Sequence, residues 1–286
     1  MNYIGSYFLI FFLKICSYLP ISALFFLGRN LGSFLYHVVP SRRKIALKNC
    51  YRAYPQKNSE FRKNIIKKSF QSLGIALFEY AIIWFWDESK LKNLLEIKNP
   101  QYLDQTLLKG KGAIILLAHF NTVETVAILL SIDKNIAAVI FPPNNKIIAK
   151  IINNKRKKYI RNIIHYKNLR QMIKSLRNNT PLLYSPDQSK YERGAPYIDF
   201  FNTKVKTTTG TIKLTSISKT TIIPTVHHRD TFKKKYILEF LPPLKNIPTN
   251  DINADTSLIN KTLEKMIKMH PDQYMWLHKR FKEILA

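Results

Sequence analysis

A histidine with a carboxylate five positions on, His119-Phe-Asn-Thr-Val-Glu124, is the pair in this sequence best placed to move a proton. It follows the apolar run 112–118 and precedes a second apolar run at helical spacing, 125–132. A histidine leaving a buried strand, with a carboxylate in the first turn of the next helix, sits where α/β sheets build their sites. There His119 can accept a hydroxyl proton as general base, while Glu124 holds the imidazole tautomer and stabilises the imidazolium. The same spacing has a plainer reading: Asn121 and Glu124 stand at capping-box distance, with His119 merely filling a strand end.

The elements that must hold this pair are legible from periodicity. Segments 60–86 and 147–162 repeat apolar residues at three and four with charges between them, which predicts helices. Runs 112–118, 136–141, 181–185, 221–226 and 236–241 are strand-length and bounded by Gly, Pro or polar clusters. Several are apolar throughout, as strands covered on both faces are. Interleaved with helices, they predict an α/β fold with a mixed central sheet flanked by helices.

The chain has 286 residues, with 46 Lys plus Arg against 18 Asp plus Glu, a net charge of +28. Of the basic residues 34 are Lys, so the excess has two readings: A/T-rich codon usage, or a basic surface for anionic lipid, nucleic acid or an acidic protein. Two cysteines, Cys16 and Cys50, exclude a disulfide scaffold, and neither has metal-ligand spacing. Residues 3–27 are nearly all apolar or aromatic, interrupted by Lys14 and Pro20, and Arg29, Arg42, Arg43, Lys44 and Lys48 follow. This predicts a membrane-anchoring helix over residues 1–28, long enough for ~30 Å of hydrocarbon, with residues 29–286 as one domain on the cytoplasmic side. A central Lys costs roughly 3 kcal/mol on insertion scales, so lying in the interface and packing as a buried helix of a soluble fold are the alternatives to spanning.

Further blocks follow in order: Tyr184-Ser-Pro-Asp187-Gln188, Phe200-Phe201, Thr207-Thr-Thr-Gly210 entering a helix, and Tyr274-Met-Trp-Leu-His-Lys-Arg-Phe281. With the N-terminal apolar run and the His119 block, these resemble the lipid A biosynthesis acyltransferases along the whole chain, most closely their lauroyl transferase branch. The resemblance implies a glycerolipid acyltransferase-like fold at the cell inner membrane. It implies transfer of a fatty acyl chain from acyl carrier protein to a 3-hydroxyacyl hydroxyl of a Kdo-bearing lipid A precursor. His119 and Glu124 match the family's base and its carboxylate partner; no metal or tightly bound cofactor is implied.

By the same resemblance Arg156, in Lys155-Arg-Lys-Lys158, and Asp187 match two further charged positions that matter in the family. A guanidinium can grip phosphate or face an oxyanion, or simply lie on a solvated helix. Asp187 can orient Arg156 or a substrate amide, or close an Asx turn. In the final block, His278, Lys279 and Arg280 suggest contact with phosphate or carrier protein, or a charged helix end. The Lys233-Lys234-Lys235 run reads as a carrier-protein contact or a solvated hairpin, and His227-His228 as surface residues. Phe200-Phe201-Asn202 stands where the family commonly has Phe-Phe-Gly, and Asn accepts the left-handed conformation better than other non-Gly residues. Two rivals remain: a glycerolipid acyltransferase, and a non-enzymatic membrane-surface binding protein. Nucleic acid is excluded as a partner by the lack of any recognition signature beside the charge.

Overall fold

The computed structural model describes residues 3–142, 146–188 and 194–281. Four helices open the chain: α1 (Tyr3–Cys16), α2 (Ile21–Val38), α3 (Pro40–Ala53) and the long α4 (Ser59–Phe85). After α5 (Glu88–Lys92), strands and helices alternate: β1 (Leu95–Lys98), α6 (Gln101–Leu107), β2 (Ala113–Leu116), α7 (Val123–Asp133), β3 (Ala137–Ile140) and α8 (Lys146–Arg156). Next come β4 (Asn162–His165), α9 (Leu169–Arg177), β5 (Leu182–Tyr184), the hairpin β6 (Tyr197–Phe200) and β7 (Thr203–Lys206), and α10 (Gly210–Ser218). The chain continues through β8 (Thr221–Asp230), β9 (Lys235–Phe240) and α11 (Ile252–Met269).

Seven strands form one sheet in the order β1-β9-β8-β2-β5-β3-β4. The β8–β9 pair is antiparallel and the other neighbours are parallel, so the sheet is mixed. All five apolar runs form strands of it. Alternation along β2 explains why its run shows no polar face: Ala113, Ile115 and Leu117 enter one core, Ile114, Leu116 and Ala118 the other. Helices α4 and α7 cover the first face, while α9, α11 and the closing segment cover the second. Helix α4 contributes to both cores, Ile75 and Phe78 to one and Ile66 and Phe70 to the other.

The apolar run at the N-terminus forms two helices, not one. Pro20 stands at the N-cap of α2, where its missing N–H costs nothing, and the turn before it ends α1 after 14 residues. At ~1.5 Å per residue α1 is about 21 Å long, short of ~30 Å of hydrocarbon. Among the described residues no helix is long and apolar enough to cross a membrane. Helix α2 instead lies along α4 with Gly28 and Gly32 against Gly74, so close that a Cβ at any of the three would overlap backbone of the other helix. Outward, α1, α2 and the turn between them expose Phe8, Phe11, Tyr18, Phe26 and Phe34.

Helix α8 ends at Arg156, short of the expected 162. Residues Asn162–His165 extend as the edge strand β4, pairing Asn162 with Ala137 and His165 with Ile140. A four-residue edge strand carries too short a pattern to stand out beside a helix. In the β6–β7 hairpin the connecting Phe201 and Asn202 both have positive φ, 49° and 54°, the type I′ arrangement that suits a two-residue loop. Asn202 therefore does adopt the left-handed conformation. Cys16 and Cys50 are free and buried, and burial pushes the Cys50 thiol up to about 12.

Candidate active site

Strands β2 and β5 are parallel neighbours, with Leu116 opposite Tyr184. His119 and Asp187 each lie three residues beyond that matched pair, so the register delivers them together at the carboxyl edge of the sheet. His119 Nδ1 is 2.6 Å from Asp187 Oδ1, and the His119 backbone N–H donates to Asp187 Oδ2 at 3.0 Å. A third donor, the Tyr274 hydroxyl, reaches Oδ2 at 3.0 Å. Burial alone pushes the Asp187 carboxyl up, but the His119 charge and these three hydrogen bonds outweigh it and hold the group below the ordinary carboxylate range. An ionised Asp187 accepts, so His119 Nδ1 carries the proton and Nε2, across the ring, keeps its lone pair. The His119 side chain is 27% exposed and that of Asp187 is fully buried, which leaves the ring open to an incoming hydroxyl.

Glu124 does not hold the histidine. Its carboxylate takes Arg156 in a two-pronged grip, Nε to Oε1 at 2.7 Å and Nη2 to Oε2 at 2.6 Å. The two side chains are only 20% and 12% exposed. Burial alone pushes the Arg156 guanidinium down, and the hydrogen bond and charge of Glu124 more than restore it. Helix α7 is capped at Thr122 without a side-chain hydrogen bond, so the capping-box reading of Asn121 and Glu124 fails as well. The four residues expected at the site thus form two ion pairs, His119–Asp187 and Glu124–Arg156, partnered the other way from the sequence reading. Asp187 does not orient Arg156, and Arg156 is not on a solvated face.

A buried polar layer backs the site loop. Thr122 Oγ1 lies 2.8 Å from His227 Nδ1, and the Phe120 ring packs edge-on against His227 and Tyr274. Below it Glu79 of α4 accepts from Arg229 of β8, from the Tyr236 hydroxyl of β9 at 2.8 Å and from Thr125 of α7 at 2.8 Å. This layer ties the helix after His119 to α4 and to two strands. Nothing in the sequence signals it, since Glu79 sits in an otherwise helical pattern and Arg229 in a strand with no obvious partner.

The final block corrects its expectation. No helix forms there; Trp276 and Arg280 are buried, and Arg280 donates to the Lys206 carbonyl at 2.7 Å and Thr207 Oγ1 at 3.0 Å. The hairpin reading of the lysine run holds for Lys233 and Lys234, which turn between β8 and β9. His227 is not a surface residue. It is fully buried, and burial first, then the neighbouring charges of His119 and His228, bring its imidazole down to about 3. The half-buried His228, stacked on His270, is brought down to about 4.

Those two histidines set an expected pH dependence of stability. Unfolded, each titrates near ~6.5. Because the folded values are lower, the unfolded chain binds more protons between pH 6.5 and 4. Stability is then complete above pH 6.5 and falls as the solution is acidified through that window, by roughly 1 kcal/mol per pH unit from His227 alone. Urea midpoints at pH 7.5, 6.5 and 5.5 check this, and a midpoint unmoved between 6.5 and 5.5 would refute it.

A polar concavity of about 470 Å³ bounded by Asn162, Arg170, Lys174 and Thr180 lies at the opposite, amino edge of the parallel strands and contains none of the site residues. Among the described residues no group of three or more His, Cys, Asp or Glu side chains is gathered as a metal site.

Residues 1–283 match the family described as bacterial lipid A biosynthesis acyltransferase. The chain is 29% identical over 265 residues to the lipid A biosynthesis palmitoleoyltransferase of Escherichia coli K12, covering 92% of this chain and 86% of that one. It is equally identical to the lauroyltransferase of the same organism, covering 92% and 87%, and 22% identical to its myristoyltransferase, covering 88% and 79%. Among solved structures, a 1-acyl-sn-glycerophosphate acyltransferase from Thermotoga maritima aligns with a TM-score of 0.42 and 13% identity over 88% of this chain and 96% of that one. With the His-x4-Glu block at a sheet's carboxyl edge and the match running nearly end to end, the chain belongs to the bacterial lipid A biosynthesis acyltransferases.

Proposed function

We propose that this protein transfers a fatty acyl chain, lauroyl in preference, from acyl carrier protein to a 3-hydroxyacyl hydroxyl of Kdo2-lipid IVA, at the cytoplasmic face of the inner membrane. The observation that carries the reading is the 2.6 Å contact of His119 Nδ1 with buried, ionised Asp187, which leaves Nε2 as an oriented base. His119 Nε2 takes the hydroxyl proton as the oxygen attacks the thioester carbonyl; a C–O bond forms. The tetrahedral oxyanion then collapses, the C–S bond breaks, and the proton passes from the imidazolium to the departing thiolate. Arg156, held rigid by Glu124, supplies a fixed positive charge for that oxyanion or for a substrate phosphate.

Relatives named for palmitoleoyl, lauroyl and myristoyl transfer support the acyl reaction in common and differ in the chain they carry. Helices α1 and α2 seat the protein in the bilayer surface. Their exposed aromatic side chains are each worth about 1.5–3 kcal/mol on burial, and nearby Lys and Arg add ~1 kcal/mol each toward anionic lipid. On this reading the seating segment runs through α2 to Val38, so the boundary expected at residue 28 falls inside that helix, and the catalytic domain follows it.

The test incubates purified protein with lauroyl-, palmitoleoyl- and myristoyl-acyl carrier protein and Kdo2-lipid IVA, in parallel with lysophosphatidic acid as acceptor. A product with one added acyl chain, formed fastest from the lauroyl donor, is expected. Acylation of lysophosphatidic acid alone would replace this reading with the glycerolipid one.

A further inference from the structure

The segment Gln273–Tyr274–Met275 is built into the site loop as if it were an extra strand. Phe120 and Tyr274 form an antiparallel bridge, the Asn121 N–H donates to the Gln273 carbonyl at 2.9 Å, and the Met275 N–H donates to the His119 carbonyl at 3.0 Å. Two outside anchors fix the segment. Ser69 of α4 donates to the Tyr274 carbonyl at 2.6 Å, and the Gln273 side-chain amide bonds both ways with the backbone of Arg229 on β8, at 2.8 Å and 2.9 Å. The Tyr274 ring is locked between Phe120 and Trp276. Its hydroxyl therefore arrives at Asp187 Oδ2 from a support that also holds the backbone of His119.

We propose that Tyr274 is a positioning residue for the reaction: its hydroxyl fixes the rotation of the Asp187 carboxylate and thereby the aim and basicity of His119. This rests on the reading of His119 as the base. Without the hydroxyl, the one donor left to Oδ2 among the described residues is the His119 backbone N–H, and a carboxylate about a broad terminal torsion is then freer to swing Oδ1 off the ring. The hydroxyl also draws carboxylate charge away from the imidazole. Burial first, and then the charge of Asp187, push the Tyr274 phenol well above its ordinary range, so it remains a donor throughout the working pH range. The other ionisable groups facing this pair are His227, which burial keeps neutral, and Arg280, whose charge acts on Tyr274.

The experiment compares the full-length wild type with Tyr274→Phe, His119→Ala and Asn49→Ala in the acyl carrier protein and Kdo2-lipid IVA assay across pH. Asn49 of α3 donates to the carbonyls of Trp276 and His278, so its loss loosens the closing segment without touching Asp187. For Tyr274→Phe, kcat is expected to fall about tenfold with KM within about twofold, and the acid limb of the kcat profile to move to higher pH, because a carboxylate with one donor fewer holds the imidazolium more tightly. Asn49→Ala is expected to lower the melting temperature without moving that limb. Placing 3,5-difluorotyrosine at 274 keeps the shape and strengthens the donor, so the limb is expected to move to lower pH; this arm stands even if the phenylalanine variant folds poorly. Unchanged kcat and an unmoved limb in the 274 variants, with His119→Ala inactive, overturn the role of Tyr274 alone. Equal limb shifts in Asn49→Ala and Tyr274→Phe overturn it too, by reducing it to support. Activity surviving in His119→Ala overturns the reading of the base beneath it.

Discussion

His119→Ala is expected to lower kcat for acyl transfer by about 10²–10⁴, the range over which a positioned base contributes. A secondary hydroxyl is a weak nucleophile near neutral pH, and His119 combines a partly exposed ring with a buried anion behind it. The fold should survive. The ring is partly solvent-exposed and contributes nothing to either core, while the backbone contacts of His119 to Asp187 and Met275 remain. What changes is Asp187, which loses its hydrogen-bonded imidazole in a fully buried place and moves back up toward protonation, at a cost of about 1–3 kcal/mol. Asp187→Asn isolates the other half of the pair. An amide N–H facing Nδ1 favours the tautomer with the proton on Nε2, which leaves no lone pair for the hydroxyl, so a comparable fall in kcat is expected at unchanged KM. Single-turnover acyl transfer with circular dichroism alongside checks both variants. A folded His119→Ala protein within tenfold of wild type would remove this histidine from the chemistry.

Why the sequence singled out these four side chains and yet paired them the other way is a matter of sheet order. Spacing along the chain put Glu124 nearest to His119, and both do leave the same strand edge. But Glu124 lies within α7, whose backbone turns it toward α8, whereas Asp187 leaves the neighbouring parallel strand at the same register. Neighbouring strands here are far apart in sequence, β2 beside β5 and β8, and no local pattern encodes that order. Strand content was legible for the opposite reason. The five runs are mostly apolar, and β2, buried on both faces, is unbroken, while β1, β4, β6 and β7 are four-residue strands with mixed composition. At the N-terminus hydropathy located the exposed aromatic helices but not their break, which one proline decides, nor the glycine contact that lays α2 on α4. The closing block misled because charge in a sequence suggests a surface. Arg280 is instead spent on backbone carbonyl and hydroxyl partners inside the protein, where a guanidinium with five donors can satisfy several acceptors at once.

The Glu124–Arg156 pair offers the second large effect, and two variants separate its structural part from its chemical one. Glu124→Ala leaves a mostly buried guanidinium without its carboxylate, which is expected to destabilise the protein by about 3–5 kcal/mol and to lower kcat about a hundredfold. In the double variant Glu124→Ala with Arg156→Met, the uncompensated charge is gone and a flexible apolar chain fills the space. Stability should then return to within about 1–2 kcal/mol of wild type, since a buried ion pair replaced by apolar side chains is often close to neutral. Activity should not return, because the fixed positive charge for the oxyanion or phosphate is lost with it. Arg156→Lys distinguishes the two ways the guanidinium can serve: an ammonium retains charge but cannot reproduce the double grip at 2.7 Å and 2.6 Å, so a large loss identifies geometry, and a small loss identifies charge, as what the reaction draws on. Denaturant midpoints and kcat measured on all three variants give the comparison. A double variant that regains activity together with stability would make the pair a strut between α7 and α8, with no part in the chemistry at the His119 edge.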